Sequence, residues 1–231
     1  MRRHLALILF VTGLLILAMG VMLVKRHQES RPRNRAVAFA GPIDLIDVNG
    51  RSIHGSDLQG RPSAVFFGFT YCPDVCPTTL IALSAAMRTL GRDTDRLNFA
   101  FITVDPERDD APHLKLYLTS FDPRIRGLTG TVAQVRQAAA SYGAYFRKVP
   151  EVGGDYTVDH SSSIFLFDAK GRFQGVIPYG ATPADLSRRL GELAHPGPRS
   201  AVSSTRGHFP EIPRRRAIIS DDVPYTHNLC R

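Results

Sequence analysis

The chain is poor in sulfur, with three cysteines in 231 residues. That number excludes a disulfide-framework scaffold and a self-contained four-sulfur zinc site. Phosphate-cradling signatures of the GxGxxG and P-loop kinds are absent, and Gly153-Gly154 and Ala169-Lys170-Gly171 are turn residues instead. Ser161 to Ser163 beside His160 lack a nucleophile-elbow context, so no Ser-His-Asp arrangement is assigned. Lysine is scarce, 4 against 25 arginines, a bias more in keeping with genome base composition than with guanidinium recognition.

Basic charge is also missing where a nucleic-acid domain needs it. The net charge is +8, but residues 1–36 carry +6 of it and residues 196–231 carry +3. The stretch 37–195 is left at −1, whereas a folded nucleic-acid domain carries its own basic face. Hydrophobic residues at 43% and charged residues at 22% are globular values, which excludes wholesale disorder, collagen and coiled coil.

Residues 5–24 hold no charge, and Thr12 is their one polar member. Twenty residues at about 1.5 Å each span about 30 Å, the hydrocarbon thickness of a bilayer. The run is longer than a signal-peptide core, and neither a small-residue cleavage site nor a lipobox cysteine directly follows it. It is read as an uncleaved transmembrane anchor, residues 1–24, followed by a basic tether, 25–36. Flanking arginines and lysines counted alone would keep the following domain in the cytoplasm, yet long domains translocate despite such charge.

A folded unit is expected over 37–195. Residues 42–48 alternate like a strand, Asn49-Gly50 signals a tight turn and 51–53 return, a small hairpin. Residues 64–69 and 97–104 are continuous apolar runs, as in strands buried on both faces. Helices are predicted at 78–90, 109–121, 131–142 and from 182 to about 194, with a short strand at 145–149. A last hairpin joins 163–168 to 172–177. Hairpin, then β-α-β-α-α-β-β-α, is the order of an α/β thioredoxin-like fold, a mixed sheet flanked by helices with an added N-terminal hairpin. Residues 196–231, rich in Pro, Ser and Arg without periodicity, are read as a disordered tail.

The chemistry gathers at Cys72-Pro73-Asp74-Val75-Cys76-Pro77, between a central strand and a helix. Residues i and i+4 share a helical face, so the two thiols can close a disulfide or share one soft metal ion. A helix N-terminus favours thiolate, the form both chemistries need. The bland alternative is two cysteines packed as small hydrophobes, against which Pro73, Asp74 and Pro77 argue. His160 is read on a loop before the strand expected beside the thiol-bearing one. From the residues alone it is either a ligand or a bystander. Two thiolates and an imidazole would suit copper, Cu(I) above all. Asp159 is the candidate to orient His160, with a solvated loop acid as the alternative. The residues 105–109 are read as a turn and helix cap. Asp74 is either a partner contact or an acid complementing the helix dipole. Cys230 is a stray thiol, or one suited to intermolecular pairing, and His195, His208 and His227 are too scattered for a metal tract.

FTYCPDVCPTTL, ITVDPERD and VDHSSSIFLFD, in that order, resemble the Sco/SenC family of copper-binding assembly factors for cytochrome c oxidase. The likeness covers roughly residues 37–195. It implies a membrane-tethered thioredoxin-like domain facing the bacterial periplasm, anchored by one span in the inner membrane. It implies a site for Cu(I) and Cu(II) made by Cys72, Cys76 and His160. It implies a role in delivering copper to the dinuclear centre of oxidase subunit II, or in reducing its thiols, with other copper chaperones as further partners. The competing reading is a thiol-disulfide oxidoreductase using Cys72 and Cys76 as a redox pair without His160. A peroxidase ranks lower, because Val65-Phe66-Phe67 stands where its proline would be expected. The 196–231 tail is where the sequence departs from the family pattern.

Overall fold

The computed structural model describes residues 43–196, the isolated helical positions 13, 19, 20 and 22, and the pair 229–230. The predicted tether and nearly all of the predicted anchor and of the tail lie outside the described residues. Among the described residues no helix is long and apolar enough to cross a membrane. The chain divides into two units, Met1–Ala36 and Val37–Arg231, and the fold belongs to the second.

The continuous apolar runs form β3 (Ser63–Gly68) and β4 (Asn98–Thr103), every residue of which is buried. They pair in parallel from Ser63 opposite Asn98 to Gly68 opposite Thr103. Burial on both faces explains why neither run alternates. β1 (Asp44–Asp47) and β2 (Ser52–His54) form the N-terminal hairpin, and β5 (Ile125–Thr129) lies between β1 and β4. β8 (Ile164–Phe167) runs antiparallel to β3, and β9 (Phe173–Ile177) completes the order β2-β1-β5-β4-β3-β8-β9. Four helices flank this sheet: α1 (Val75–Leu90), α2 (Ala111–Leu118), α3 (Val132–Tyr142) and α4 (Pro183–Ala194). The whole is a mixed, thioredoxin-like α/β fold with the expected hairpin at one edge.

Local chemistry fixes the helix ends. Thr131 and Gln134 make a reciprocal capping box at the start of α3, and Gly143 ends it in the left-handed region at φ 68°. Asp110 accepts the His113 amide at the start of α2, with Pro112 in the first turn. That helix is shorter than the predicted 109–121, because Asp109 is used as a buried acceptor rather than as a helical residue. α1 begins three residues before the predicted Thr78, which brings Cys76 into its first turn.

A second, three-stranded sheet has the order β10-β7-β6, made by β6 (Phe146–Pro150), β7 (Tyr156–Ser161) and β10 (Leu229–Cys230). β7 corrects the reading of 158–163 as a loop: His160 stands in a strand. Its polarity hid it, since Asp159 and His160 are both buried and the usual apolar alternation is lost.

Candidate metal centre

The thiol loop leaves the end of β3 at Gly68. A Cβ on that glycine would lie 2.7 Å from Cys76 Sγ and 2.8 Å from the Phe101 ring, closer than real contacts allow. The missing side chain therefore makes the space that the sulfur fills. Cys72 precedes α1, and the Cys76 amide, in the first turn, donates to Cys72 Sγ at 3.4 Å. An N–H group in the helix's first turn thus faces a sulfur, a contact that favours thiolate over thiol.

The imidazole arrives from 84 residues away. His160 Nε2 lies 3.4 Å from Cys76 Sγ. Its Nδ1 is 2.9 Å from the Ser161 carbonyl oxygen. A carbonyl only accepts, so Nδ1 carries the proton, and in the neutral ring Nε2 is left as a lone pair aimed at the sulfurs. That is the tautomer of a metal-ligating histidine whose other nitrogen is held by a backbone carbonyl. Phe66 and Phe69 set their rings around the imidazole, at 6.3 Å and 5.7 Å between centroids, both edge to face.

The sulfur and nitrogen donors of Cys72, Cys76 and His160 all lie within 4.8 Å of one another, and among the described residues this is the one such metal-capable group. Cys72 is 4% exposed, and Cys76 and His160 are fully buried. Two sulfurs and one nitrogen in an apolar aromatic surround fit a soft ion far better than calcium or magnesium, which take oxygen.

The segment 103–109 does more than turn and cap. Asp109, fully buried, accepts from the Thr70 amide at 3.0 Å, from Thr70 Oγ1 at 2.6 Å and from Thr103 Oγ1 at 2.6 Å. It ties the thiol loop to the end of β4. Burial raises its carboxyl pKa, against the pull of these three donors. Burial likewise raises the Tyr117 phenol, with Cys76 and Cys72 adding to the effect. Neither Gly68 nor Asp109 stands out in the sequence as a site residue; the signal for Asp109 was its place at the thiol-bearing edge of the sheet.

His160 Nδ1 is met by the Ser161 carbonyl and not by Asp159. Its neighbour on β7 is His160, so alternation sends the two side chains to opposite faces. Asp159 instead meets Arg147 at 3.3 Å, and its Oδ1 is buried without a hydrogen-bond partner. The orienting acceptor is the Ser161 carbonyl. Asp74 precedes α1 and accepts from Thr78 Oγ1 at 3.1 Å. In the β10–β7 pairing, Cys230 stands opposite His160. His195 pairs with Asp93 at 2.9 Å, and His208 and His227 lie outside the described residues.

Comparison with known proteins follows the same segment. The family model described as SCO1/SenC matches residues 31–195. Protein sco1 of Schizosaccharomyces pombe is 36% identical over 157 residues, which is 66% of this chain and 60% of that protein. The chain therefore spans less than two thirds of that curated relative's length. Among solved structures, Bradyrhizobium japonicum ScoI with copper bound is 44% identical at a TM-score of 0.62, covering 66% of this chain and 98% of that one. Yeast Sco1 with copper bound is 35% identical at a TM-score of 0.63, covering 72% and 93%.

Proposed function

The chain belongs to the SCO1/SenC family, and from that premise we propose that it is a membrane-tethered copper metallochaperone for assembly of cytochrome c oxidase. One copper is its cargo, held by Cys72, Cys76 and His160 and destined for the dinuclear centre of subunit II. The observation that carries this reading is the convergence of two sulfurs and an imidazole nitrogen within 4.8 Å, with His160 Nδ1 against the Ser161 carbonyl. Copper-bound solved relatives at 44% and 35% identity support it.

The chemistry follows from the donor set. Thiolates and a neutral imidazole hold Cu(I) and also accept Cu(II). Three protein donors leave room for an incoming thiolate, so copper can pass by ligand exchange. The uncharged run at 5–24 serves as the anchor, 25–36 as the tether and 37–195 as the copper-binding domain, single-pass in a bacterial inner membrane and facing the periplasm. The second reading, a thiol-disulfide oxidoreductase acting on oxidase thiols, is favoured by the Cys76 amide on Cys72 Sγ, which activates a thiolate.

Anaerobic copper titration of the reduced, detergent-solubilised chain, beside His160→Ala, tests the choice. One tight copper per chain, weakened about tenfold to a hundredfold without the imidazole, is expected. Binding indifferent to His160 would leave the oxidoreductase.

A further inference from the structure

The sulfur donors and the nitrogen donor stand on separate pieces of the fold, and one side chain touches both. Arg108 lies in the connection between β4 and α2. Its guanidinium carbon is 4.7 Å from the ring centroid of Tyr71, the residue before Cys72. It is 3.9 Å from the centroid of Tyr156, which opens β7 four residues before His160. Nε donates to Asp105 at 2.5 Å and Nη1 to Asp155 at 3.2 Å. The Tyr156 hydroxyl donates to the other oxygen of Asp105 at 2.8 Å. Nη2 is buried with no hydrogen-bond partner.

Resting on the copper reading, we propose that Arg108 is a positioning residue that fixes the distance between the thiols and the imidazole. Arg108 and Asp109, consecutive in sequence, hold Tyr71 and Thr70, also consecutive, so the loop is gripped just ahead of Cys72. Through Asp155 and Tyr156 the same guanidinium grips the start of the strand that carries His160. The role is geometric. Asp105 and Asp155 already offset the positive charge, so Arg108 adds little net field at the sulfurs. A planar cation can stack on two rings while its edge donates to two carboxylates; an ammonium cannot do both.

Substitutions at Arg108 and Tyr71 separate shape from charge. In the full chain, Arg108→Ala should weaken copper about tenfold to a hundredfold, the range for residues that hold a ligand from behind. The Cu(II)–thiolate charge-transfer band should shift with it. Arg108→Lys, which keeps the charge, should resemble Arg108→Ala rather than the wild type. Tyr71→Phe should match the wild type, and Tyr71→Leu should lose affinity. An Arg108→Ala chain that melts and binds as the wild type does, with an unmoved band, overturns the proposal. Should Arg108→Ala not fold, Tyr71→Leu decides: unchanged affinity and band overturn it. A wild type that takes up no copper sinks the copper reading and this one together. Copper binding by the wild type with equal binding by the variants sinks this one alone.

Discussion

The two thiols and the imidazole reach one point by opposite means. The sulfur half is local: Cys72 and Cys76 are four residues apart at the mouth of a helix, and one amide already links them. The imidazole half is remote. His160 stands in a strand of a separate three-stranded sheet, and its nearness to Cys76 depends on the register of β6 with β7, Phe146 opposite His160. A one-residue slip of that register would turn the imidazole to the other face. The spacing of the thiols is therefore built into a few residues of chain, while the sulfur-to-nitrogen distance is a property of the whole domain. Disturbing each half separately should show this asymmetry.

The largest effect should come from crowding the sulfur half. Gly68→Ala drives a methyl into Cys76 Sγ at 2.7 Å and Phe101 at 2.8 Å, and both neighbours are fully buried. Overpacking of this kind costs about 1–3 kcal/mol of stability. Displacement of the sulfur should weaken copper at least about tenfold. Denaturant unfolding and copper titration read the two effects. If Gly68→Ala matches the wild type in both, the empty Cβ position does not set the sulfur's place.

The same asymmetry governs what a reader of the sequence can find. The cysteine pair was legible because its spacing and its strand-to-helix context are contiguous. β3 and β4 were legible because strands buried on both faces are unbroken apolar runs. β7 was not, because the buried residues that would have marked it are an aspartate and a histidine. Arg108 and Asp109 read as turn and cap residues, since their partners at Asp155, Tyr156 and Thr70 lie far along the chain and nothing local announces them. Gly68 was passed over because the use of a missing side chain shows only in what occupies its space. Asp159 drew attention by its adjacency to His160, yet adjacency along a strand places side chains apart.

A smaller effect tests the imidazole half. If Asp159 oriented His160, Asp159→Asn should cost about tenfold to a hundredfold in copper affinity. With the Ser161 carbonyl in that role, the change should stay within about twofold. Loss of the contact to Arg147, which is more than half exposed, should cost no more than about 1 kcal/mol. A tenfold loss of copper would return Asp159 to the site.

The smallest effect belongs to neither half and provides the baseline for both. Asp122 ends the turn after α2, where Arg124 donates to it through Nε at 2.9 Å and Nη2 at 2.8 Å. These hydrogen bonds hold its carboxyl pKa below the usual value; burial opposes them, and the Arg124 amide adds to them. A depressed folded pKa means that the ionised acid stabilises the fold above its unfolded pKa, about 4, and that this is lost as pH falls through the folded value. Asp122→Asn should thus lower copper-free stability by about 1 kcal/mol near neutrality. The difference from the wild type should hold down to about pH 5 and shrink below about pH 4. Urea unfolding of both chains across that range measures it. Copper affinity should not change, because the Asp122 pair touches neither the thiol loop nor β7. A copper affinity that moved with Asp122 would mean that distances in the site respond to global stability, and the separation between a local sulfur half and a remote imidazole half would then fail.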